Sequence, residues 1–211
     1  MAIYVLVHGG AHGGWCYQKV SRLLRADGHE VYTPTMTGLG ERSHLLRTGI
    51  DLELHIRDIV AVLRYEDLHN VILVGHSYGG MVITGAADHA AERIGKLVYL
   101  DAANPKNNES LVEAVPIVLR TRETATFVDG VELVLHPGAC FEQKLVLTNE
   151  HVLQTIPQFH IVCTRTLATR DPELMAKARA EGRLWDIDTG HDLMITEPEK
   201  VAGALLEVAA A

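Results

Sequence analysis

Val71-Ile72-Leu73-Val74-Gly75-His76-Ser77-Tyr78-Gly79-Gly80 decides the fold. Its four aliphatic residues, bounded by Gly75, read as a buried strand, and the small residues after Ser77 read as a helix packed tightly on it. Between them the Gly-x-Ser-x-Gly pattern demands a sharp turn, because a Cβ at either glycine would crowd the neighbouring strand or helix. The turn lifts the Ser77 hydroxyl clear of the backbone at a helix N-terminus. Free N–H groups and the positive helix end there favour a developing anion. Strand, turn and helix agree, so Ser77 reads as a nucleophile and not as an incidental serine.

The same alternation runs outward in both directions. Short β-branched or aliphatic runs at 3–7, 30–33, 71–75, 96–101, 159–163 and 184–187 read as strands ending near Gly, Pro, Asp or Thr. Asp51 can cap a helix to about residue 68 with Ile56, Ile59, Val60 and Leu63 on one face. A second helix is expected over 77–89. Thr196-Glu197-Pro198-Glu199 reads as a capping box opening the last helix through Ala210. Strands interleaved with helices predict one α/β domain over 1–211, a doubly wound, mostly parallel six-stranded sheet with helices on both faces. From 105 to 157 the rhythm breaks at Asn107-Asn108, Pro116, Asp129-Gly130 and Pro137-Gly138. That insertion is expected to form a short cap over the carboxyl edge of the sheet, where ligands bind in such folds.

Composition narrows the function. The 211 residues are 47% hydrophobic and 22% charged, ordinary values for a soluble globular chain. A net charge of −8 offers no basic patch to nucleic acid or an anionic membrane, so neither is expected as a partner. No apolar run approaches the roughly 18 residues needed to span a bilayer. The opening Met1-Ala2-Ile3-Tyr4-Val5 lacks a basic leader, which makes a cytoplasmic location the default expectation. Cys16, Cys140 and Cys163 are scattered and read as free thiols in a reducing compartment. The twelve histidines show neither HExxH nor HxH spacing, so no metal and no cofactor are expected. Nothing in the chain specifies an oligomeric state.

Two further segments carry chemistry. Val5-Leu6-Val7-His8-Gly9-Gly10 is the first strand followed by a glycine turn. Such a turn can donate one backbone N–H to an oxyanion, and the residue after the nucleophile donates a second, which names Gly10 and Tyr78. His8 reads as structural, holding the loop. Asp188-Thr189-Gly190-His191-Asp192 follows the last strand. His191, last in chain order, is placed to accept the Ser77 proton and return it to a leaving group.

Taken together, Leu6-Val7-His8-Gly9-Gly10-Ala11-His12-Gly13-Gly14-Trp15, Pro34-Thr35-Met36-Thr37-Gly38-Leu39-Gly40-Glu41-Arg42-Ser43-His44, Gly75 to Gly80 and Thr189-Gly190-His191-Asp192-Leu193-Met194 resemble the methylesterase/hydroxynitrile lyase branch of the α/β-hydrolases. The resemblance covers about 2–105 and 158–208. It implies the α/β-hydrolase fold, a serine nucleophile and a Ser-acid-His order. It is specific for fold and weak for substrate, because the insertion matches poorly.

One position departs from that family. Its aspartate lies a few residues after the strand at 159–163, near Thr166, where this chain has no carboxylate. Two substitutes are readable. Asp101 ends the preceding strand in Leu97-Val98-Tyr99-Leu100-Asp101-Ala102, which resembles the segment carrying the acid in haloalkane dehalogenases. Asp171 follows the usual strand but lies late, and can instead cap a helix over 172–181. An incomplete triad is the third reading. Asp101, at the carboxyl edge of the sheet, is preferred.

The expected function is hydrolysis of a small or medium apolar carboxylic ester, a methyl ester among the candidates, through an acyl-enzyme. A lyase, elimination or cyclisation on the same scaffold is the alternative. Cyanohydrin cleavage is disfavoured: Leu193 follows His191-Asp192 where those lyases carry a lysine near the histidine, and Gly9-Gly10 lacks their threonine. A ligand receptor without turnover is the third class. Trp15, Phe127, Leu135 and Phe141 are candidate pocket walls.

Overall fold

The computed structural model describes residues 1–115, 127–128, 130–133 and 135–211, with only the backbone of Phe127 and Glu132. Pro116, Asp129 and the Phe127 side chain lie outside the described residues. The strands are β1 (Ile3–Val7), β2 (Glu30–Tyr32), β3 (Val71–His76), β4 (Ile94–Leu100), β5 (Phe127–Val128), β6 (Val131–Glu132), β7 (Gln158–Cys163) and β8 (Leu184–Ile187). The longer helices are α1 (Gln18–Ala26), α2 (Leu52–Tyr65), α3 (Gly79–His89), α8 (Pro172–Ala180) and α10 (Pro198–Ala210). Single helical turns fill the rest: α4 (Leu111–Ala114), α5 (Ala139–Glu142), α6 (Glu150–Leu153), α7 (Thr164–Leu167) and α9 (Leu193–Thr196).

Six strands form one sheet in the order β2-β1-β3-β4-β7-β8, and every pairing in it is parallel. The expected "mostly parallel" sheet is therefore wholly parallel among the described residues. The continuous aliphatic runs follow from this, since helices cover both faces. Val5, Val7, Leu73, Leu97 and Tyr99 belong to the core beneath α2 and α3. Tyr4, Leu6, Ile72, Val74, Val98 and Leu100 alternate with them into the core beneath α1 and α10. Each such side chain, fully withdrawn from water, contributes about 1.5–3 kcal/mol.

Local chemistry sets most helix ends. The Asp51 carboxylate accepts the Leu54 N–H at 2.8 Å and opens α2. The capping box expected at Thr196 does not form. Glu197 precedes α10 without a side-chain cap, and the Thr196 hydroxyl pairs with that of Thr189 at 2.7 Å. The turn α9 places Thr196 at its own end, so the hydroxyl is withdrawn from the next helix. A box does form at Ser110 and Glu113, opening α4. No helix among the described residues is long and apolar enough to cross a membrane.

The strand order places the site. The chain leaves β1 for β2 on one side and returns to β3 on the other, so the carboxyl ends of β1 and β3 flank a topological switch point, where a crevice opens in such sheets. The two-stranded hairpin β5-β6 lies in the insertion between β4 and β7.

The elbow after β3 relies on close approach. A Cβ on Gly75 would stand 2.5 Å from the Gly79 carbonyl oxygen, and one on Gly80 2.0 Å from that of Ala103. Gly80→Ala is therefore expected to destabilise the fold by about 1–3 kcal/mol. Gly203, inside α10 with nothing within 4 Å of its Cβ direction, should gain about 0.8–1 kcal/mol as alanine. Urea melts of the two variants should shift in opposite directions; a Gly80→Ala chain as stable as wild type would refute the packing of α3 on the β4 exit.

Candidate active site

Ser77 sits between β3 and α3 with φ of 53°, in the left-handed region that a side-chain-bearing residue occupies only at a cost of about 1 kcal/mol or more. Main-chain bonds hold it there. Its N–H donates to Leu100 O at 3.4 Å, and its carbonyl accepts from Ala103 N–H at 3.1 Å. The Ser77 side chain is half-buried. The next residue, Tyr78, is buried, and its phenol donates to His55 Nδ1 at 3.0 Å.

The first glycine turn lies against this elbow: a Cβ on Gly9 would stand 3.0 Å from the Ser77 Cβ. His8 is fully buried and ties the turn at both ring nitrogens. Nδ1–H donates to Gly9 O at 2.8 Å, and Nε2 accepts Met36 N–H at 3.1 Å. Burial drives its pKa down to about 3, so the ring is a neutral strut, in keeping with its structural reading. Ala11, at φ 62°, donates its N–H to His136 Nδ1 at 3.1 Å. Among the described residues, no hydrogen bond takes the backbone N–H of Gly10 or Tyr78.

His191 and Asp101 meet although 90 residues separate them, with His191 Nδ1 at 2.5 Å from Asp101 Oδ2. Nδ1 therefore carries the proton, and Nε2 keeps its lone pair. The Asp101 side chain has no exposed surface, whereas that of His191 is 46% exposed. Burial alone would raise the Asp101 pKa. The His191 bond and the Arg170 guanidinium outweigh it and hold the carboxyl well below the usual carboxylate range. Asp171 does something else: its carboxylate caps α8 through Glu173 N–H and Leu174 N–H at 3.0 and 3.2 Å.

Several members of the site left no readable sign in the sequence. Arg170 Nη2 donates to Asp101 Oδ1 at 2.7 Å and to Asp101 O at 2.8 Å. The Thr166 hydroxyl donates to the same Oδ1, and Cys163 N–H reaches it at 3.3 Å. Thr166, in α7, and Arg170, in the turns that follow it, thus converge on the carboxylate. His76 donates from Nε2 to His191 O at 2.9 Å, its ring 4.6 Å from that of His191. His12 lies 3.4 Å from Asp192 and stacks on Trp15. Burial works against both charges of that pair, but their mutual attraction prevails, raising the His12 pKa and holding Asp192 at about 2.

Of the candidate pocket walls, Trp15 and Leu135 line an open groove of about 650 Å³ with Leu133 and Val131. Phe141 is buried instead, 3.2 Å from the Cβ direction of Gly10.

Comparison with known proteins agrees with the fold. Residues 4–204 match the model of the Alpha/beta hydrolase family. A carbendazim hydrolyzing esterase of a Nocardioides species is 52% identical over 130 residues, covering 62% of this chain and 54% of that protein. Salicylic acid-binding protein 2 of Nicotiana tabacum is 37% identical, covering 98% of this chain and 96% of that one. An extracellular alpha/beta-hydrolase from a Paenibacillus species superposes with a TM-score of 0.78 at 22% identity, covering 98% of each chain. Over the matched stretches the chain spans about half the length of the first curated relatives, 54% of the Nocardioides esterase and 45% of a Raphanus sativus pheophorbidase.

The Asp192 carboxyl is depressed to about 2 against about 3.9 in an unfolded chain. Its contribution to stability is thus complete above pH ~4 and lost as pH falls towards 2. Asp192→Asn should flatten the fall in folding free energy between pH 4 and 2, read from urea melts. An unchanged slope would show that the pair with His12 does not hold the carboxylate.

Proposed function

The chain belongs to the alpha/beta hydrolase family, and on that premise we propose that it is a serine hydrolase cleaving a small or medium apolar carboxylic ester, methyl esters included. The observation that carries the reading is the 2.5 Å contact of His191 Nδ1 with Asp101 Oδ2, at the sheet edge that also holds Ser77 in a left-handed turn. The esterase and methylesterase names of the relatives support the same reaction class.

Ser77 Oγ attacks the ester carbonyl while His191 Nε2 takes its proton. The carbonyl oxygen becomes an oxyanion received by the N–H groups of Gly10 and Tyr78. Collapse of the intermediate breaks the bond to the alkoxy group, which leaves as the alcohol with the proton from His191. Water, deprotonated by His191, then attacks the acyl carbonyl carbon; the bond to Ser77 Oγ breaks, His191 returns the proton to Oγ, and the acid leaves. Asp101, kept ionised, fixes the imidazole tautomer and offsets the charge of the imidazolium. The insertion at 105–157 serves as the cap, and the groove beside Trp15 and Leu135 takes an apolar part of the ester. Free, buried Cys16, Cys140 and Cys163 suit a reducing cytoplasm.

A p-nitrophenyl acyl ester series tests the assignment. Ser77→Ala should abolish burst and turnover, and Asp101→Asn should lower kcat by about 10⁴. Asp171→Asn should keep wild-type kcat, and Asp171→Ala should keep it too while costing roughly 0.5–2 kcal/mol of stability through α8. Turnover that survives Ser77→Ala, or an unimpaired Asp101→Asn, would overturn the assignment of that residue.

A further inference from the structure

Three metal-ligating side chains converge at a buried point outside the proposed proton relay. His55 comes from α2, while His136 and Cys140 come from the insertion between β4 and β7. One ligand atom from each lies within 4.8 Å of the others, and all three residues are buried. His55 Nδ1 and Cys140 Sγ, 85 residues apart in the chain, are 3.7 Å apart in space. A tetrahedral zinc ion with bonds of about 2.0–2.1 Å to nitrogen and 2.3 Å to sulfur holds those two atoms about 3.6 Å from each other. One ligand pair is thus already at bonding separation. The Tyr78 hydroxyl, 3.0 Å from His55 Nδ1, supplies an oxygen at the same point.

The surroundings prepare His55 for this role. Its Nε2–H donates to Thr37 O at 3.0 Å, so Nδ1 holds a lone pair that accepts the Tyr78 O–H and faces Cys140, and an ion bound there displaces that hydrogen bond. A ligating imidazole is oriented by a partner of this kind. One thiol and two imidazoles, with no carboxylate, suit a borderline-soft ion and not magnesium or calcium. We propose that His55, His136 and Cys140 form a binding site for a zinc-class divalent cation, and that filling it alters the first glycine turn. Binding displaces the Cys140 proton to solvent and forms a metal–thiolate bond.

The coupling follows from the two nitrogens of His136. Its Nδ1 accepts the Ala11 N–H at 3.1 Å. If Nδ1 ligates the ion, its lone pair is taken. If Nε2 ligates, the proton of the neutral ring moves to Nδ1. Either way Ala11, held at φ 62°, loses its acceptor, and the strained turn that carries Gly10 relaxes. On the ester-hydrolase reading the ion is therefore an inhibitor that acts through the oxyanion donors.

Titration of the chelator-treated full chain with Co²⁺ separates these claims. The expected result is a saturable near-ultraviolet thiolate-to-cobalt band at one ion per chain, displaced by Zn²⁺. It should be absent in Cys140→Ser, retained in Cys16→Ser and shifted to about tenfold or weaker binding in His136→Gln. No band up to about 1 mM Co²⁺, or one that survives Cys140→Ser, would overturn the site. Zn²⁺ should lower ester turnover several-fold in wild type and leave Cys140→Ser at its own metal-free rate. Stoichiometric Zn²⁺ binding without loss of turnover would overturn the coupling alone. A metal-free chain without turnover would count against the ester reading and leave the binding result standing.

Discussion

A carboxylate with no exposed surface must be compensated where it lies, and Asp101 organises the carboxyl edge of the sheet around that need. Leaving one partner of such a buried pair without the other costs about 3–5 kcal/mol. Here His191, Arg170, Thr166 and the Cys163 N–H converge on its two oxygens. Arg170 also binds the carbonyls of Asp101 and Ala102, so the same guanidinium that balances the charge holds the exit of β4 in place. That exit in turn accepts and donates the main-chain bonds that hold Ser77 in its turn. Charge compensation and the geometry of the Ser77 turn are one problem in this chain, solved at the end of one strand.

The parallel sheet makes the solution reachable. With every strand running the same way, the segments after β1, β3, β4 and β8 all emerge on one edge. They carry Gly10, Ser77, Asp101 and His191 respectively. An antiparallel sheet would send half of them to the opposite edge. The register supports the arrangement in detail: Gly75 pairs with Tyr99 and His76 with Leu100, which sets the Ser77 turn beside Asp101.

Histidines do several kinds of work around this edge, separated by burial. His8 is a neutral strut, and His76 bridges β3 to the His191 main chain with its own pKa pushed down to about 3 by burial. His12 lies 3.4 Å from Asp192, which shifts its pKa upward against the effect of burial. His136, from the insertion, reaches across to Ala11 and so links the insertion to the first glycine turn. The insertion therefore touches the turn that carries Gly10.

The elements themselves were legible because local physics encodes them. Aliphatic runs gave strands within one or two residues, glycine spacing gave the Ser77 turn, and the loop after β8 gave His191. Asp51 capped its helix as its position implies. The Thr196 capping box failed because a short turn formed just ahead of it and took the hydroxyl elsewhere. What the sequence could not decide was which distant groups would meet. Strand order brings Asp101 against His191, and helix α8 takes Asp171 as its cap. Arg170, 69 residues from Asp101, and the His55–Cys140 pair, 85 residues apart, have no spacing that announces them. Periodicity and turn chemistry are properties of neighbours along the chain, whereas these partnerships depend on which strand ends lie side by side, and only the folded sheet sets that.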